Sequence, residues 1–178
     1  MHENTHELDL TIVEGRPAHA SVLRDLAEHT FREAYAEDTD TANMERYVAR
    51  HFTLEQVLHD LSDAQAQYLL AMHNEEPIGY ALLRRNRTHP DTDGQPALML
   101  HRIYVRRHYW CKQVGASLLQ YIIQIAQKEK FACIWLVVWD QNIRAIRFYE
   151  KYGFAHCGYE LFQFGDEITN DWVMQKKI

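Results

Sequence analysis

Arg102-Ile103-Tyr104-Val105-Arg106-Arg107-His108-Tyr109-Trp110-Cys111-Lys112-Gln113-Val114-Gly115-Ala116-Ser117 decides how this chain is read. A strand over Ala97 to Val105 ends, a short loop turns, and a helix begins near Gln113. From Gln113 to Lys130 the apolar residues Val114, Leu118, Ile122, Ile125 and Ala126 recur at helical spacing and line one buried face. The first amides of a helix have no partners inside it and lie at the positive end of its dipole. Such a turn is a natural seat for a pyrophosphate. Gly115 and Ala116 lack bulk and let a ligand approach the backbone. Arg102, Arg106, Arg107 and Lys112 cluster here in an otherwise acidic chain, which suits a ligand with several phosphates. An ordinary strand-to-helix connection with solvated arginines accounts for the stretch equally well when it is taken alone.

Downstream, Phe131 to Trp139 is an unbroken apolar run, as expected for a strand buried on both faces. A helix follows over Asn142 to Tyr152, and Gly153 can close it with positive φ. Two strands, about 154–164 and 168–177, are joined by a turn at Gly165-Asp166. Upstream, Leu8 to Val13 reads as a first strand. Pro17 opens a helix whose Val22, Leu23, Leu26, Ala27 and Phe31 fall three and four apart. After the polar break from Asp38 to Asp40 come two shorter helices. One carries Met44, Tyr47, Val48 and Phe52; the other carries Leu54, Val57, Leu58 and Leu61 and starts at Thr53. Tyr68 to Met72 and Ile78 to Arg85 form a strand pair across a turn at Glu75-Glu76-Pro77, with Gly79 marking a bulge or a close backbone approach. Thr88 to Gln95 is a loop. This order predicts an α/β (mixed α+β) fold: one domain over 1–178, with a twisted mixed sheet of about seven strands flanked by helices.

Composition narrows the function. Of 178 residues 47% are apolar, and only 7 are Gly and 4 Pro, so the chain is ordered and globular. A net charge of −6 argues against a nucleic-acid partner. Cys111, Cys133 and Cys157 form no CxxC pair, which suits a reducing compartment. His2, Glu3, His6 and Glu7 do not make a secretory leader, and no apolar run is long enough to span a membrane. A cytoplasmic protein without membrane association is expected. The 11 histidines form no HExxH or Cys/His cluster, so no metal is expected. No GxSxG elbow supports a serine hydrolase.

The segment 102–117 resembles motif A of the GNAT superfamily of N-acetyltransferases, whose Arg/Gln-x-x-Gly-x-Gly/Ala loop binds the pyrophosphate of coenzyme A. Aligned here, the loop reads Trp110-Cys111-Lys112-Gln113-Val114-Gly115. Trp110 stands where Arg or Gln is usual, and Gln113 where the first glycine is usual, a change the loop accommodates if its backbone keeps φ negative. The resemblance implies that Cys111, Lys112, Gln113, Val114, Gly115, Ala116 and Ser117 surround the pyrophosphate. It also implies that Ile103, Tyr104 and Val105 pair with the pantetheine arm as a strand edge would. That pairing requires the fourth and fifth strands to splay apart. Asn142, Ala145 and Tyr149 match the family's Asn-x-x-Ala-x-x-x-Tyr, and residues 148–154 match its FYxxxGF ending. On this resemblance Asn142 hydrogen-bonds coenzyme A and Tyr149 lies near the thioester sulfur. The chemistry agrees, because a leaving thiolate with a solution pKa of about 8.5 can take a proton from a phenol near 10.

The implied reaction is acetyl transfer from acetyl-CoA, the only co-substrate expected, to a primary amine of a small molecule. His101 is a candidate general base; Glu150, Asp38, Asp40 and Glu45 are alternatives. Segments 31–35, 43–47, 52–56, 164–167 and 171–174 resemble bacterial PaiA-type spermidine/spermine N-acetyltransferases, which makes a polyamine the leading acceptor. A protein N-terminus, an amino acid and an aminoglycoside are competing acceptors. A non-catalytic acetyl-CoA-binding module is the reading from another class. The chain is compatible with a homodimer.

Overall fold

A computed structural model describes residues 8–85, 87–92 and 94–178; the N-terminal stretch read above for a leader lies outside them. Seven strands form one sheet: β1 Leu10–Glu14, β2 Ala66–His73, β3 Glu76–Arg84, β4 Ala97–Val105, β5 Cys133–Val138, β6 Ala155–Phe164 and β7 Glu167–Lys177. Their order across the sheet is β1-β2-β3-β4-β5-β7-β6, and among these neighbours only β4 and β5 are parallel. Helices α1 Ala20–Tyr35, α2 Thr41–His51 and α3 Leu54–Ser62 lie on one face, and α4 Val114–Lys128 and α5 Ile143–Lys151 on the other. The alternation of β2 makes the division plain. Tyr68 and Leu70 join the core under α1–α3, and Leu69 and Ala71 join the core under α4 and α5.

Local chemistry explains the element ends. Asp40 accepts from the backbone N–H groups of Ala42 and Asn43 at 3.0 and 3.1 Å and starts α2. Thr53 accepts from Gln56 N–H at 3.1 Å and starts α3. Gly153 leaves α5 at φ +83° and Gly165 turns the β6–β7 hairpin at φ +60°, as the sequence suggests. The β2–β3 turn is shifted from its expected place. Asn74 and Glu75 take the positive φ values of 50° and 65°, while Pro77 lies inside β3 opposite Met72. Proline cannot adopt positive φ, whereas asparagine tolerates it, so the turn settles on Asn74. A register shift between Ala71 and Met72 sits beside Gly79, where a Cβ would stand 3.0 Å from the Tyr104 carbonyl oxygen. Val22 and Leu58, expected in the core, are on the outer sides of their helices, at 38% and 44% exposure.

Candidate active site

The site is a gap in the sheet. β4 and β5 pair only over Ala97–Met99 and Cys133–Trp135, yet β4 continues to Val105 and β5 to Val138. The expected splay is therefore present. On the other side of β4, Leu82 pairs with Arg102 and Leu83 with Leu100, which leaves His101 in a bulge. A cleft of about 390 Å³ fills the opening. It is bounded by Ile103, Tyr104 and Val105 of β4, Val137 and Val138 of β5, the start of α4, and Asn142, Phe148 and Tyr149 of α5. It reaches through to Thr30, Ala34 and Tyr35 of α1.

The expected pyrophosphate loop brings Cys111, Gln113, Val114, Gly115 and Ala116 to this cleft; Lys112 and Ser117 are not part of its wall. The first intrahelical bond shown here runs from Ser117 N–H to the Gln113 carbonyl at 2.9 Å, so the amides of residues 114–116 precede the helical ladder. The backbone condition named for the Gln113 position is not met. Gln113 sits at φ +63° and Cys111 at +62°, so the loop does not keep φ negative. The family's glycine is replaced by a side chain in the left-handed region that glycine favours, a strained but accessible conformation for a non-β-branched residue. A Cβ on Gly115 would lie 3.7 Å from the Phe148 ring, ordinary contact for a methyl, though a larger side chain would push into that ring.

The four basic residues of the loop region do not act as a free cluster. Arg106 pairs with Glu76, and Arg107 with Glu37 at 3.0 Å. Arg102 leaves the cofactor face altogether and stacks over Phe52, 4.6 Å from its ring centroid. Sequence reasoning missed what replaces them. Trp110 Nε1–H donates to the Val105 carbonyl at 2.7 Å, tying the loop to the end of β4, and the Arg144 guanidinium lies 3.4 Å from the Trp110 ring centroid. A tryptophan in the loop before α4 and an arginine on α5 carried no recognisable spacing, because the pair forms across two distant elements.

Tyr149 is 8% exposed, faces the cleft, and packs against Phe148 and Phe154. Burial, and secondarily Tyr35, push its phenol well above the ordinary value. Asn142 starts α5, its Oδ1 accepting from Ala145 N–H at 3.1 Å. Its side chain also lies within hydrogen-bonding reach of the Tyr35 hydroxyl, which is 3.3 Å from that of Tyr104. Tyr35 was not foreseen as part of the site; only the packing of α1 on β4 places it there. His101 is solvent-accessible yet crowded by protein. This desolvation, then the positive charges of Arg102 and Arg84, lowers its pKa to about 3. Of the other base candidates, Glu45 binds Arg32 at 2.6 Å and Asp40 caps α2, while Asp38 and Glu150 are exposed. Among the described residues no His, Cys, Asp or Glu cluster is arranged for a metal ion, and no helix is long and apolar enough to cross a membrane.

A profile of the acetyltransferase (GNAT) family matches residues 22–154. An uncharacterized N-acetyltransferase of Mycobacterium tuberculosis is 28% identical over 159 residues, which are 89% of this chain and 97% of that protein. The spermine/spermidine N(1)-acetyltransferase of Bacillus subtilis is 28% identical over 82 residues, 46% of this chain and 54% of that protein. The crystal structure of PaiA N-acetyltransferase from Thermoplasma acidophilum in complex with coenzyme A superposes with a TM-score of 0.76 at 21% identity, covering 96% of this chain and all of that one. A splayed β4–β5 pair, a helix N-terminus and a buried tyrosine at its mouth, together with a family match over most of the length, make this chain an acetyl-CoA-dependent N-acetyltransferase of the GNAT family.

Proposed function

We propose that the chain acetylates a primary amine by direct attack within a ternary complex, with Tyr149 as the general acid. The observation that carries this reading is the position of Tyr149, buried at the wall of the one cleft that also contains the open edge of β4 and the first amides of α4. A phenol held protonated by burial can donate to the leaving sulfur throughout the working pH range. In this reading backbone N–H groups of Ile103 to Val105 steady the oxyanion, and the absence of β5 pairing along that stretch supports it. The amides of residues 114–116, with Cys111 and Gln113 around them, hold the pyrophosphate. Asn142 orients Tyr35 and thereby the wall facing the acceptor. His101, neutral at physiological pH, can accept a proton only weakly, so the amine loses its proton largely to water. A cytoplasmic setting belongs to this reading, on the strength of cysteines without CxxC spacing.

A polyamine acceptor is a second reading, favoured by the printed activity of the Bacillus subtilis relative. Acidic residues of the 37–45 segment that could attract a polycation are mostly engaged: Glu37 with Arg107, Glu45 with Arg32, and Asp40 as a helix cap. The decisive assay follows release of coenzyme A thiol from acetyl-CoA with polyamines, diamines, amino acids, aminoglycosides and short peptides. Turnover with at least one amine is expected. Tight acetyl-CoA binding with no turnover on any of them would move the assignment to a non-catalytic binding module.

A further inference from the structure

Arg102 lies on the α1–α3 side of the cleft. It follows the His101 bulge, so its side chain emerges on the α1–α3 face rather than toward α4 and α5. There it lies over Phe52 and within hydrogen-bonding reach of Tyr47, and its charge lowers the pKa of His51 after desolvation does. Arg32, Arg84, Arg85, Arg106 and Arg107 each reach a carboxylate. Among the described residues Arg102 has no such partner. Asp60, which acts on Tyr68 together with Arg102, binds Arg84 at 2.9 Å instead. Beside it the Tyr80 hydroxyl, fully buried, has no hydrogen-bond partner among the described residues. Aromatic rings give a guanidinium partial compensation, but a largely enclosed arginine without an anion is unusual.

We propose that Arg102 binds a carboxylate of the acceptor, so that the amine acetylated by this enzyme is an amino acid or a similar amino carboxylate. Arg102 lines the cleft that contains Tyr149, and a planar fork of N–H donors matches a carboxylate in shape and charge. The opposite charge is supplied across the gap. Asp171, 6% exposed, lies one residue past the Trp172–Val138 pair, at the end of the sheet where β4 and β5 part. It acts on Tyr35 and Tyr47, and Arg102 acts on the same Tyr47. β5 lies between their strands, and β4 has parted from β5 at this level. This pairing of charges suits a zwitterion, with its carboxylate on Arg102 and its ammonium toward the gap. A polycation would meet Arg102 with like charge.

The inference rests on the acetyltransferase reading and is tested so that the two can fail separately. Acetyl-CoA binding is first measured by calorimetry for wild type, Arg102→Met and Arg102→Lys. Rates are then compared for acceptors and their decarboxylated counterparts, 4-aminobutyrate with propylamine and lysine with cadaverine, with spermidine alongside. Wild type should favour the carboxylated member of a pair by about 10- to 100-fold in kcat/KM, the scale of a charge-assisted contact. Arg102→Met should lose that preference, mainly through a raised KM for the carboxylated member, while acetyl-CoA affinity holds. Arg102→Lys should keep part of it. Equal rates within each pair, a preference for spermidine, or an unchanged ratio in Arg102→Met would overturn the proposal and leave the enzyme assignment standing. No acetyl-CoA binding by wild type would overturn both. If the methionine variant does not fold, the wild-type ratio and the lysine variant decide. If no amine turns over, binding of 4-aminobutyrate and lysine to the coenzyme A complex decides, and its absence overturns the proposal.

Discussion

At the scale of single residues, burial sorts the two titratable side chains expected to do chemistry. Tyr149 has its phenol raised above the ordinary value of 10, so it remains a donor at every pH at which the fold is assayed. Replacing it with Phe removes the proton and little volume. The expected result is a fall in kcat of about 100-fold or more, the range of general acid catalysis, with acetyl-CoA affinity held within twofold. For the same reason the kcat profile should show no descending limb below pH 10. His101 moves the other way, to about 3, and is neutral from pH 5 upward. The rate should therefore climb with pH as the acceptor amine loses its proton, without an inflection near 6.5. A limb at that pH that vanishes in His101→Ala would restore histidine as the base and refute this account.

At the scale of elements, the loop before α4 shows what a sequence can and cannot display. The order of strand, basic turn and amphipathic helix is written in residues 97–130, because each element reports its own periodicity. The Asn142-to-Phe154 segment is equally plain, since its capping residue, tyrosine and closing glycine all act within one helix. Three features were not legible. The sign of φ at Gln113 depends on how the loop meets Trp110 and β4 rather than on the residue itself. The partners of Arg106 and Arg107 lie in distant segments, Glu37 being seventy positions from Arg107. The face chosen by Arg102 is reversed by a single bulge residue, because alternation along a strand changes side whenever one residue is unpaired. Gln113 gives a direct measurement. Glycine removes the left-handed penalty, so Gln113→Gly should stabilise the fold by up to about 1 kcal/mol in urea unfolding. A β-branched residue enlarges the penalty, and Gln113→Val should cost about 1–2 kcal/mol. Equal stability of the two variants would mean that the loop relaxes out of the left-handed region.

At the scale of the whole molecule, two cores are held on opposite faces of a sheet that is deliberately incomplete. The α1–α3 face is fastened by a buried ion pair: Asp60, 2% exposed, accepts from Arg84 of β3 at 2.9 Å and from Gln56 at the same distance. Asp60→Ala would leave Arg84 with only Asp63, 4.0 Å away, and should destabilise the protein by about 3 kcal/mol, read as a lowered urea midpoint. Where β4 and β5 part, backbone groups that a closed sheet would pair are open to the cleft, so the folded state retains binding capacity that the unfolded chain lacks. Coenzyme A at about a hundred times its Kd should add roughly 2.7 kcal/mol to folding. In a chain of this size that corresponds to a rise in melting temperature of roughly 5–11 °C. Pantetheine, which lacks the nucleotide phosphates, should give a smaller rise at equal concentration because it engages the strand edge without the start of α4. Equal shifts from the two ligands would show that the α4 loop contributes nothing to affinity, and the pyrophosphate assignment would fall while the splayed edge kept its role.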